Sequence, residues 1–189
     1  MEAYLNVAAI RPCTVSEGPG KRFAIWLQGC LKRCPGCCNP EMQALEKRHI
    51  VGVGDLMELV LESVEQNDIE GISLIGGEPF LQAEGLSVLA SSVHDAGLSV
   101  VAFSGYTYEE LVSGMPEQRR LLDLVDILID GPYLEHEPDH ERGWIGSTNQ
   151  RVHYLSDRYD LGMEYSGENS LEILVGENEL LVNGWPATG

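Results

Sequence analysis

The chain has 189 residues, 43% of them hydrophobic, and a formal net charge of −18 at pH 7. This length predicts a single domain, residues 1–189, with a sizeable buried core. No apolar run is long enough to cross a membrane, and a chain this acidic repels a phosphate backbone, so we expect neither membrane insertion nor nucleic-acid binding.

The N-terminus and the cysteines indicate in which cellular compartment the protein is expected. The first residues have no basic region followed by an apolar stretch, so we expect no signal peptide. Four of the five cysteines fall between Cys30 and Cys38. Clustered cysteines without a secretion signal argue against a disulfide framework and favour a reducing compartment, which we take to be the cytoplasm.

The first predicted elements lead to the cysteine cluster. Residues 5–10 are predicted to form a short edge strand, and Glu17-Gly18-Pro19-Gly20 a tight turn. Residues 23–27 are a near-continuous apolar run, which is typical of a strand buried on both faces of a parallel sheet. The cysteine loop follows at the C-terminal end of that strand.

Strands and helices then alternate. Leucine and valine at helical spacing predict helices at about 55–66, with Asp55 as its cap, and at about 82–96, ended by Gly97. Thr107 and Glu110 form a predicted capping box for a third helix, which Met115-Pro116 interrupts. The other predicted elements are strands at 72–75, 98–103 and 125–129, one or two helical turns at 119–124, and a β-hairpin at about 168–185 that closes or covers one sheet edge.

This order predicts an α/β fold built from parallel βαβ units. Each candidate motif comes directly after a strand, and the carboxyl ends of parallel strands are where β/α barrels place their sites. The chain is short for an eight-fold barrel, so we expect a partial, open β/α barrel with mainly parallel strands. Its core is predicted at about 5–154, with the C-terminal hairpin as an extension.

Cys30, Cys34 and Cys37 have the spacing C-x3-C-x2-C. Three thiolates on one short loop can converge on one inorganic centre, whereas an all-thiolate iron–sulfur site or a closed all-thiolate zinc site needs four. A zinc site with Cys38, Cys13 or a histidine as the fourth ligand remains an alternative at this point. We expect Cys13 to be a small buried residue, and the polar stretch 135–142, with its two histidines, to be a solvated loop.

Further motifs extend the pattern downstream: Gly76-Gly77-Glu78-Pro79, Ser104-Gly105-Tyr106-Thr107, Asp130-Gly131-Pro132 and Gly146-Ser147-Thr148-Asn149-Gln150-Arg151. With the cysteine loop, residues 5–154 resemble the anaerobic ribonucleotide reductase activating proteins, a branch of the radical S-adenosylmethionine (SAM) superfamily. Two positions depart from that family. Cys38 stands where these proteins often have Tyr, and Ile145 where they commonly have Arg.

The resemblance implies a [4Fe–4S] cluster held by Cys30, Cys34 and Cys37, with SAM bound to its fourth iron. It also implies that the segment Gly76–Pro79 binds the SAM amino group and that Ser104 contacts the SAM ribose or carboxylate. Asp130 ends a strand facing the site. Gly36, which lacks a Cβ, permits close backbone approach to the cluster or to adenine.

The activity implied by the resemblance is reductive cleavage of SAM, followed by formation of a glycyl radical on a partner enzyme, anaerobic ribonucleoside-triphosphate reductase. Basic pairs flank the cysteine loop: Lys21-Arg22, Lys32-Arg33 and Lys47-Arg48. We expect this patch to steer an acidic electron donor, a flavodoxin or ferredoxin, towards the cluster. A small radical SAM enzyme that modifies a peptide or small molecule is the alternative.

Overall fold

The structure is a computed structural model that describes residues 2–166, 171–175 and 180–184. Its strands are β1 (Tyr4–Thr14), β2 (Arg22–Leu27), β3 (His49–Gly52), β4 (Gly71–Gly76), β5 (Ser99–Ser104), β6 (Ile127–Asp130), β7 (Arg151–Tyr154), β8 (Leu171–Val175) and β9 (Leu180–Gly184). Its helices are α1 (Val53–Asn67), α2 (Ala83–Asp95), α3 (Tyr108–Val112) and α4 (Pro116–Leu122). None of the helices in this part of the chain is long and apolar enough to span a membrane.

Seven strands form the central sheet in the order β3-β1-β2-β4-β5-β6-β7. The four middle strands β2, β4, β5 and β6 run parallel, and antiparallel pairs complete the sheet on both sides. The predicted mixed α/β fold with a mainly parallel central sheet is confirmed. All four parallel strands therefore deliver their carboxyl ends to the same edge of the sheet.

Both faces of the parallel strands are covered, which explains why β2 is apolar throughout. Phe23, Ile25 and Leu27 belong to the large core between the sheet and the helices. Ala24 and Trp26, which alternate with them, pack on the opposite face with Ile75. Side chains along a strand alternate between faces, so a strand covered on both sides needs apolar residues at every position.

The structure corrects the first predicted strand. β1 has eleven residues instead of six and is not at the edge, because β3 pairs with its first half. Two of the four residues of β3, His49 and Ile50, are exposed, and so short a strand carries no clear alternation. The sequence therefore does not predict β3, and it places β1 at the edge of the sheet that β3 occupies.

Helix boundaries differ in small ways from the predicted ones. α1 starts at Val53, and the extended Gly52 occupies the cap position predicted for Asp55. Asp55 lies in the first turn, where a carboxylate interacts favourably with the helix dipole. A short 3₁₀ helix, Pro79–Gln82, leads into α2. The capping box of Thr107 and Glu110 is confirmed. The Thr107 hydroxyl accepts from the amide of Glu110 (3.2 Å), and the Glu110 carboxylate accepts from the amide of Thr107 (2.8 Å).

The C-terminal part contains one strand that was not predicted and one hairpin that was. β7 pairs antiparallel with β6, whereas the sequence predicts no strand there and its polar motif includes only the first residue of β7, Arg151. β8 and β9 pair antiparallel as expected, and the predicted connection at 176–179 lies outside the described residues. The hairpin contacts β1 near Arg11 and Thr14, beyond the part of β1 that pairs with β3.

Candidate functional site

A cavity of about 670 Å³ opens at the carboxyl ends of β2, β4, β5 and β6. This volume lies within the usual range for small-molecule sites. The cavity is lined by residues from the cysteine loop and from the loops after the neighbouring strands, among them Cys30, Cys34, Cys37, Cys38, Gly76, Gly77, Glu78, Ser104, Gly105 and Gly131. The topology thus brings these four separate sequence motifs to one place.

The Gly76–Glu78 turn packs directly against the start of the cysteine loop. The amide of Gly77 donates to the carbonyl of Leu27 (2.7 Å), and the amide of Glu78 donates to the carbonyl of Gly29 (2.8 Å). Gly76 has φ +93°, and a Cβ there would lie 2.6 Å from the amide nitrogen of Leu27. Only glycine combines this backbone conformation with this closeness. The two glycines therefore hold the turn against the loop that carries the cysteines.

Glu78 is buried, and its carboxylate joins two loops. It accepts hydrogen bonds from the amide of Phe80 (3.1 Å), from Ser104 Oγ (2.9 Å) and from the amide of Gly105 (2.8 Å). Burial raises its pKa to about 7, although the three hydrogen bonds and the charge of Lys32 oppose the shift. Pro79 is also buried and begins the 3₁₀ helix, but it does not line the cavity.

Cys30, Cys34 and Cys37 are all half-buried and free. Burial raises the pKa of Cys34, the amide of Tyr133 lowers it by hydrogen bonding to the sulfur, and negative charge on Cys37 or Cys30 raises it further. This mutual influence reflects the closeness of the three sulfurs. As they stand, however, no three Cys, His, Asp or Glu side chains in the described ranges form a ready ligand set for a metal ion.

The donor chemistry nevertheless fits an iron–sulfur cluster. Thiolates are the protein ligands of such clusters, and three thiols from one loop border the same cavity. The loop backbone is attached at its ends, where Gly29 and Cys30 donate to the carbonyls of Met42 (2.8 Å) and Gln43 (3.2 Å). The residues therefore match the group in type and location.

The remaining cysteines differ from these three. Cys38 is exposed, and its thiol donates a hydrogen bond to Cys37, which lowers the pKa of Cys37 and raises that of Cys38. Cys13 packs against the hydrophobic core from β1 and is not a lining residue. Gly36 also does not line the cavity. It has φ +68°, and a Cβ there would meet the side chain of Glu135.

Lys32 was assigned to a surface patch, but it lines the cavity. Its ammonium group lies 2.9 Å from Glu110 Oε2 and 4.1 Å from the centre of the Tyr106 ring. The neighbouring Arg33 is exposed and has φ +50°. The two residues of this basic pair thus have different surroundings, and Lys32 connects the cysteine loop to the loop after β5.

The two candidate residues at the ends of β5 and β6, Ser104 and Asp130, differ in whether they line the cavity. Ser104 lines the cavity beside Glu78. Asp130 is fully buried but does not line it, and instead accepts hydrogen bonds from Arg151 Nε (3.0 Å) and the amide of Tyr108 (2.5 Å). Burial works against ionisation of Asp130, and these hydrogen bonds outweigh it, so the pKa of Asp130 is lowered. Asp130 anchors β7 and α3 to the site without facing the cavity.

Several lining residues carried no sequence signal. Trp144 has φ +66°, an uncommon conformation for a bulky residue, and lines the cavity next to Ile145. Ile145 is buried against β5 and β6, so the position at which the family commonly has Arg is part of the core here. Asn183 and Gly184 of β9 also line the cavity. A sequence pattern cannot reveal that a distant hairpin folds back onto this site.

The chain is similar to proteins of known family. Residues 16–153 match the family model described as a 4Fe-4S single cluster domain. An anaerobic ribonucleoside-triphosphate reductase-activating protein of Enterobacteria phage T4 is 30% identical over 152 residues, which are 78% of this chain and 93% of that protein. The protein of that name from Escherichia coli K12 is 29% identical over 163 residues, 80% of this chain and 99% of the relative.

A further relative with this name, from Salmonella typhimurium, is 29% identical over 150 residues, which are 76% of this chain and 95% of the relative. Among solved structures, QueE from Escherichia coli is similar over 57% of this chain and 54% of its own, with a TM-score of 0.41 and 16% identity.

Proposed function

This chain belongs to the family of anaerobic ribonucleoside-triphosphate reductase-activating proteins and to the 4Fe-4S single cluster domain family, and from this premise we propose how its residues act. It is a radical SAM activase with a [4Fe–4S] cluster and SAM as cofactors. The observation that carries the residue roles is that the three cysteines and the turn Gly76–Glu78 border one cavity.

Cys30, Cys34 and Cys37 are the proposed cluster ligands. With three protein thiolates, one iron keeps a position for SAM. The cluster held by these thiolates would supply the electron for reductive cleavage of bound SAM, and the cofactors would thereby provide the chemistry that forms a glycyl radical on the partner. Cys38 is adjacent to the ligands but exposed, and we assign it no ligand role.

Gly76 and Gly77 are proposed to bring the turn close to the cluster loop so that backbone groups reach the SAM amino group. The buried Glu78 carboxylate already accepts three hydrogen bonds, so its proposed role is to fix the shape of the turn and of the Ser104-Gly105 loop. Ser104 remains a candidate for the SAM ribose or carboxylate because it lines the cavity.

The other candidate residues do not line the cavity, and their proposed role is to position the residues that do. Pro79 stiffens the turn at the start of the 3₁₀ helix, and Gly36 supplies the left-handed bend within the cysteine loop. Asp130 is proposed as a positioning residue, because its contacts are with Arg151 and with the amide of Tyr108. The contribution of the protein is therefore binding, orientation and exclusion of water, since the cofactors carry the difficult chemistry.

The proposed partner is anaerobic ribonucleoside-triphosphate reductase, as the names of the relatives indicate, and a flavodoxin or ferredoxin is the proposed electron donor. We propose a single domain over 1–189 and a partial, open β/α barrel of the radical SAM type, with the cavity at its carboxyl-end opening. Five free cysteines suit a reducing compartment, the cytoplasm.

The test is anaerobic reconstitution with iron and sulfide, followed by reduction with dithionite in the presence of SAM and the reductase. We expect about four irons per chain, formation of 5′-deoxyadenosine, and a glycyl radical signal on the reductase by electron paramagnetic resonance. A protein that forms 5′-deoxyadenosine but never transfers a radical to the reductase supports the alternative of peptide or small-molecule modification. One bound zinc and no SAM cleavage rejects both.

A further inference from the structure

The hairpin β8–β9 lies outside the region that the family shares. The family model ends at residue 153. The relatives are matched over 93–99% of their own length by 76–80% of this chain, so about a fifth of the chain has no counterpart in them. The hairpin begins at Leu171, so its role has to be inferred from its contacts in this structure.

One carboxylate attaches the hairpin to the sheet. Glu172 of β8 accepts hydrogen bonds from Thr14 Oγ1 (2.7 Å) and the amide of Val15 (3.0 Å), and forms an ion pair of 3.1 Å with Arg11. Asn183 of β9 adds to this group by donating to Thr14 Oγ1 at 2.9 Å. We call these contacts of Glu172 and Asn183 with β1 the Glu172 clamp.

The clamp determines which face of the hairpin points inward. Neighbouring side chains on a strand lie on opposite faces, and Leu171 and Ile173, on either side of Glu172, are exposed. Glu172 points towards β1, and Asn183, its direct partner across the hairpin, is buried. The strand pairing and the clamp therefore place one face of the hairpin against the rest of the protein.

This inner face borders the cysteine cavity. Asn183 and Gly184 line it together with Arg11 of β1 and with Glu17, which follows β1. Burial and the charge of Glu172 raise the pKa of Glu17 to about 8.

We propose that the hairpin is a fixed wall of the cavity that keeps solvent and outside reagents away from the cysteine loop, and that Glu172 is the positioning residue that holds it there. The identity of the enclosed cofactors rests on the proposed function, whereas the wall itself does not. The wall is supplied by a segment that lies beyond residues 16–153, the part of the chain that the family model matches.

The first test uses the full-length, metal-free, reduced chain, so that it does not depend on cluster or SAM. Alkylation of Cys30, Cys34 and Cys37 by iodoacetamide is followed by mass spectrometry under anaerobic conditions. Glu172→Ala is expected to increase these rates about tenfold, because losing a half-buried, hydrogen-bonded charge shifts a local opening equilibrium by that order. Hydrogen exchange in β8 and β9 should increase in parallel, while β4 and β5 stay protected.

Two further variants separate the clamp from other effects. Glu172→Gln removes the same charge as Glu172→Ala but keeps the length of the side chain and one acceptor oxygen, so it can accept from Thr14 or from Val15 but not from both. Its alkylation rates should lie between those of the wild type and those of Glu172→Ala. Glu62→Gln changes an exposed glutamate on α1 and should leave every rate unchanged. If Glu172→Gln raised the rates as much as Glu172→Ala, loss of the ion pair with Arg11 would account for the whole effect, and a role for the hydrogen bonds to Thr14 and Val15 would be rejected.

A second measurement uses the reconstituted protein. The dissociation constant of SAM is expected to rise several-fold in Glu172→Ala and by a smaller factor in Glu172→Gln. If hydrogen exchange shows that the hairpin is released but thiol alkylation and SAM affinity do not change, the hairpin is not a wall of the cavity. If Glu172→Ala does not release the hairpin, the Glu172 clamp does not hold it. If the wild-type chain binds no SAM, the proposed function fails, while the alkylation result still decides for or against the wall.

Discussion

Ser104 Oγ donates a hydrogen bond of 2.9 Å to Glu78 Oε1, which connects the loops after β4 and β5. Ser104 also lines the cavity, so this contact lies at the boundary between the core and the site. A carboxyl group in this buried position is sensitive to pH, because burial disfavours its charged form.

We expect the metal-free protein to lose stability as the pH rises from about 4.5 to about 7. Glu78 has a pKa raised from 4.5 to about 7 in the folded protein. Between these values the folded state keeps the proton that the unfolded state has lost, so the contribution of Glu78 to the free energy of unfolding falls by roughly 3 kcal/mol over the window. Chemical denaturation at several pH values measures it.

Glu78→Gln should make this pH dependence shallower between about pH 4.5 and 7. The decrease that remains should extend from about pH 4.5 to about pH 8, because the pKa of Glu17 is raised from 4.5 to about 8, and Glu17→Gln should remove that part. An unchanged pH profile in Glu78→Gln would show that Glu78 is ionised throughout the range.

Gly76→Ala is expected to destabilise the protein and abolish SAM binding. A Cβ at this position would lie 2.6 Å from the amide nitrogen of Leu27, at φ +93°. Backbone strain and displacement of the turn should together lower the free energy of unfolding by about 2–4 kcal/mol. Thermal unfolding and equilibrium binding of SAM to the reconstituted protein measure the two effects.

Gly54→Ala is the matched control. Gly54 lies in the first turn of α1 and has nothing within 4 Å of an added Cβ. Alanine is the better helix former, so this variant should be more stable by about 0.4–1 kcal/mol and should bind SAM like the wild type. Equal losses in both variants would contradict a special role for Gly76.

Replacing Cys30, Cys34 or Cys37 individually by Ser should prevent assembly of an intact four-iron cluster. Cys38→Ser and Cys13→Ser should each retain about four irons per chain and the visible absorption of the cluster, because three thiolates suffice when SAM completes the coordination. Iron and sulfide analysis after anaerobic reconstitution gives the result. Loss of iron in Cys38→Ser would make Cys38 a ligand and require a different assignment of the three.

Arg22→Ala should cost about 3–5 kcal/mol of stability, since it removes a buried charge and leaves its partners unpaired. Arg22 is fully buried at the start of β2 and donates to Ser99 Oγ (2.8 Å), the Tyr159 hydroxyl (2.8 Å) and the carbonyl of Ile72 (2.6 Å). Denaturant unfolding measures the loss. Arg120→Ala, at an exposed position on α4, should change stability by less than about 0.5 kcal/mol.

Arg33→Glu should slow reduction of the cluster by a flavodoxin or ferredoxin, with a larger effect at low salt than at high salt. Stopped-flow absorbance follows the reduction, and dithionite, a small reductant, serves as the control. Lys32→Glu tests something different, because Lys32 lies in the cavity with Glu110 and Tyr106. It should alter reduction by both reductants. An Arg33→Glu variant reduced at the wild-type rate removes Arg33 from the donor surface.

The parallel core and the position of the site were predictable because both depend on local patterns. A strand covered on both faces is apolar throughout, as β2 is, and motifs that directly follow parallel strands must meet at one edge. The cysteine loop, the Gly76–Glu78 turn and Ser104 could therefore be placed together from the sequence. Short antiparallel strands such as β3 and β7 lack such a pattern, because few of their residues are buried.

The parts of the site that were missed depend on long-range contacts. Asp130 ends a strand as expected, but Arg151 and Tyr108 hold it away from the cavity, and only the folded chain shows this. Likewise the sequence places Lys32 in a surface patch, whereas in the folded chain it contacts Glu110 and Tyr106. Spacing along the chain predicts which loop a residue belongs to, but not which neighbour its side chain contacts.

The buried Arg22 and the cysteine cavity lie at opposite ends of the same parallel strands. A strand of six residues spans roughly 20 Å, so a change at one end reaches the other only through the rigid sheet between them. Natural or laboratory selection can therefore strengthen the protein at the Arg22 end while the cofactor loops diverge, and thermal tolerance and partner choice become traits that evolve separately.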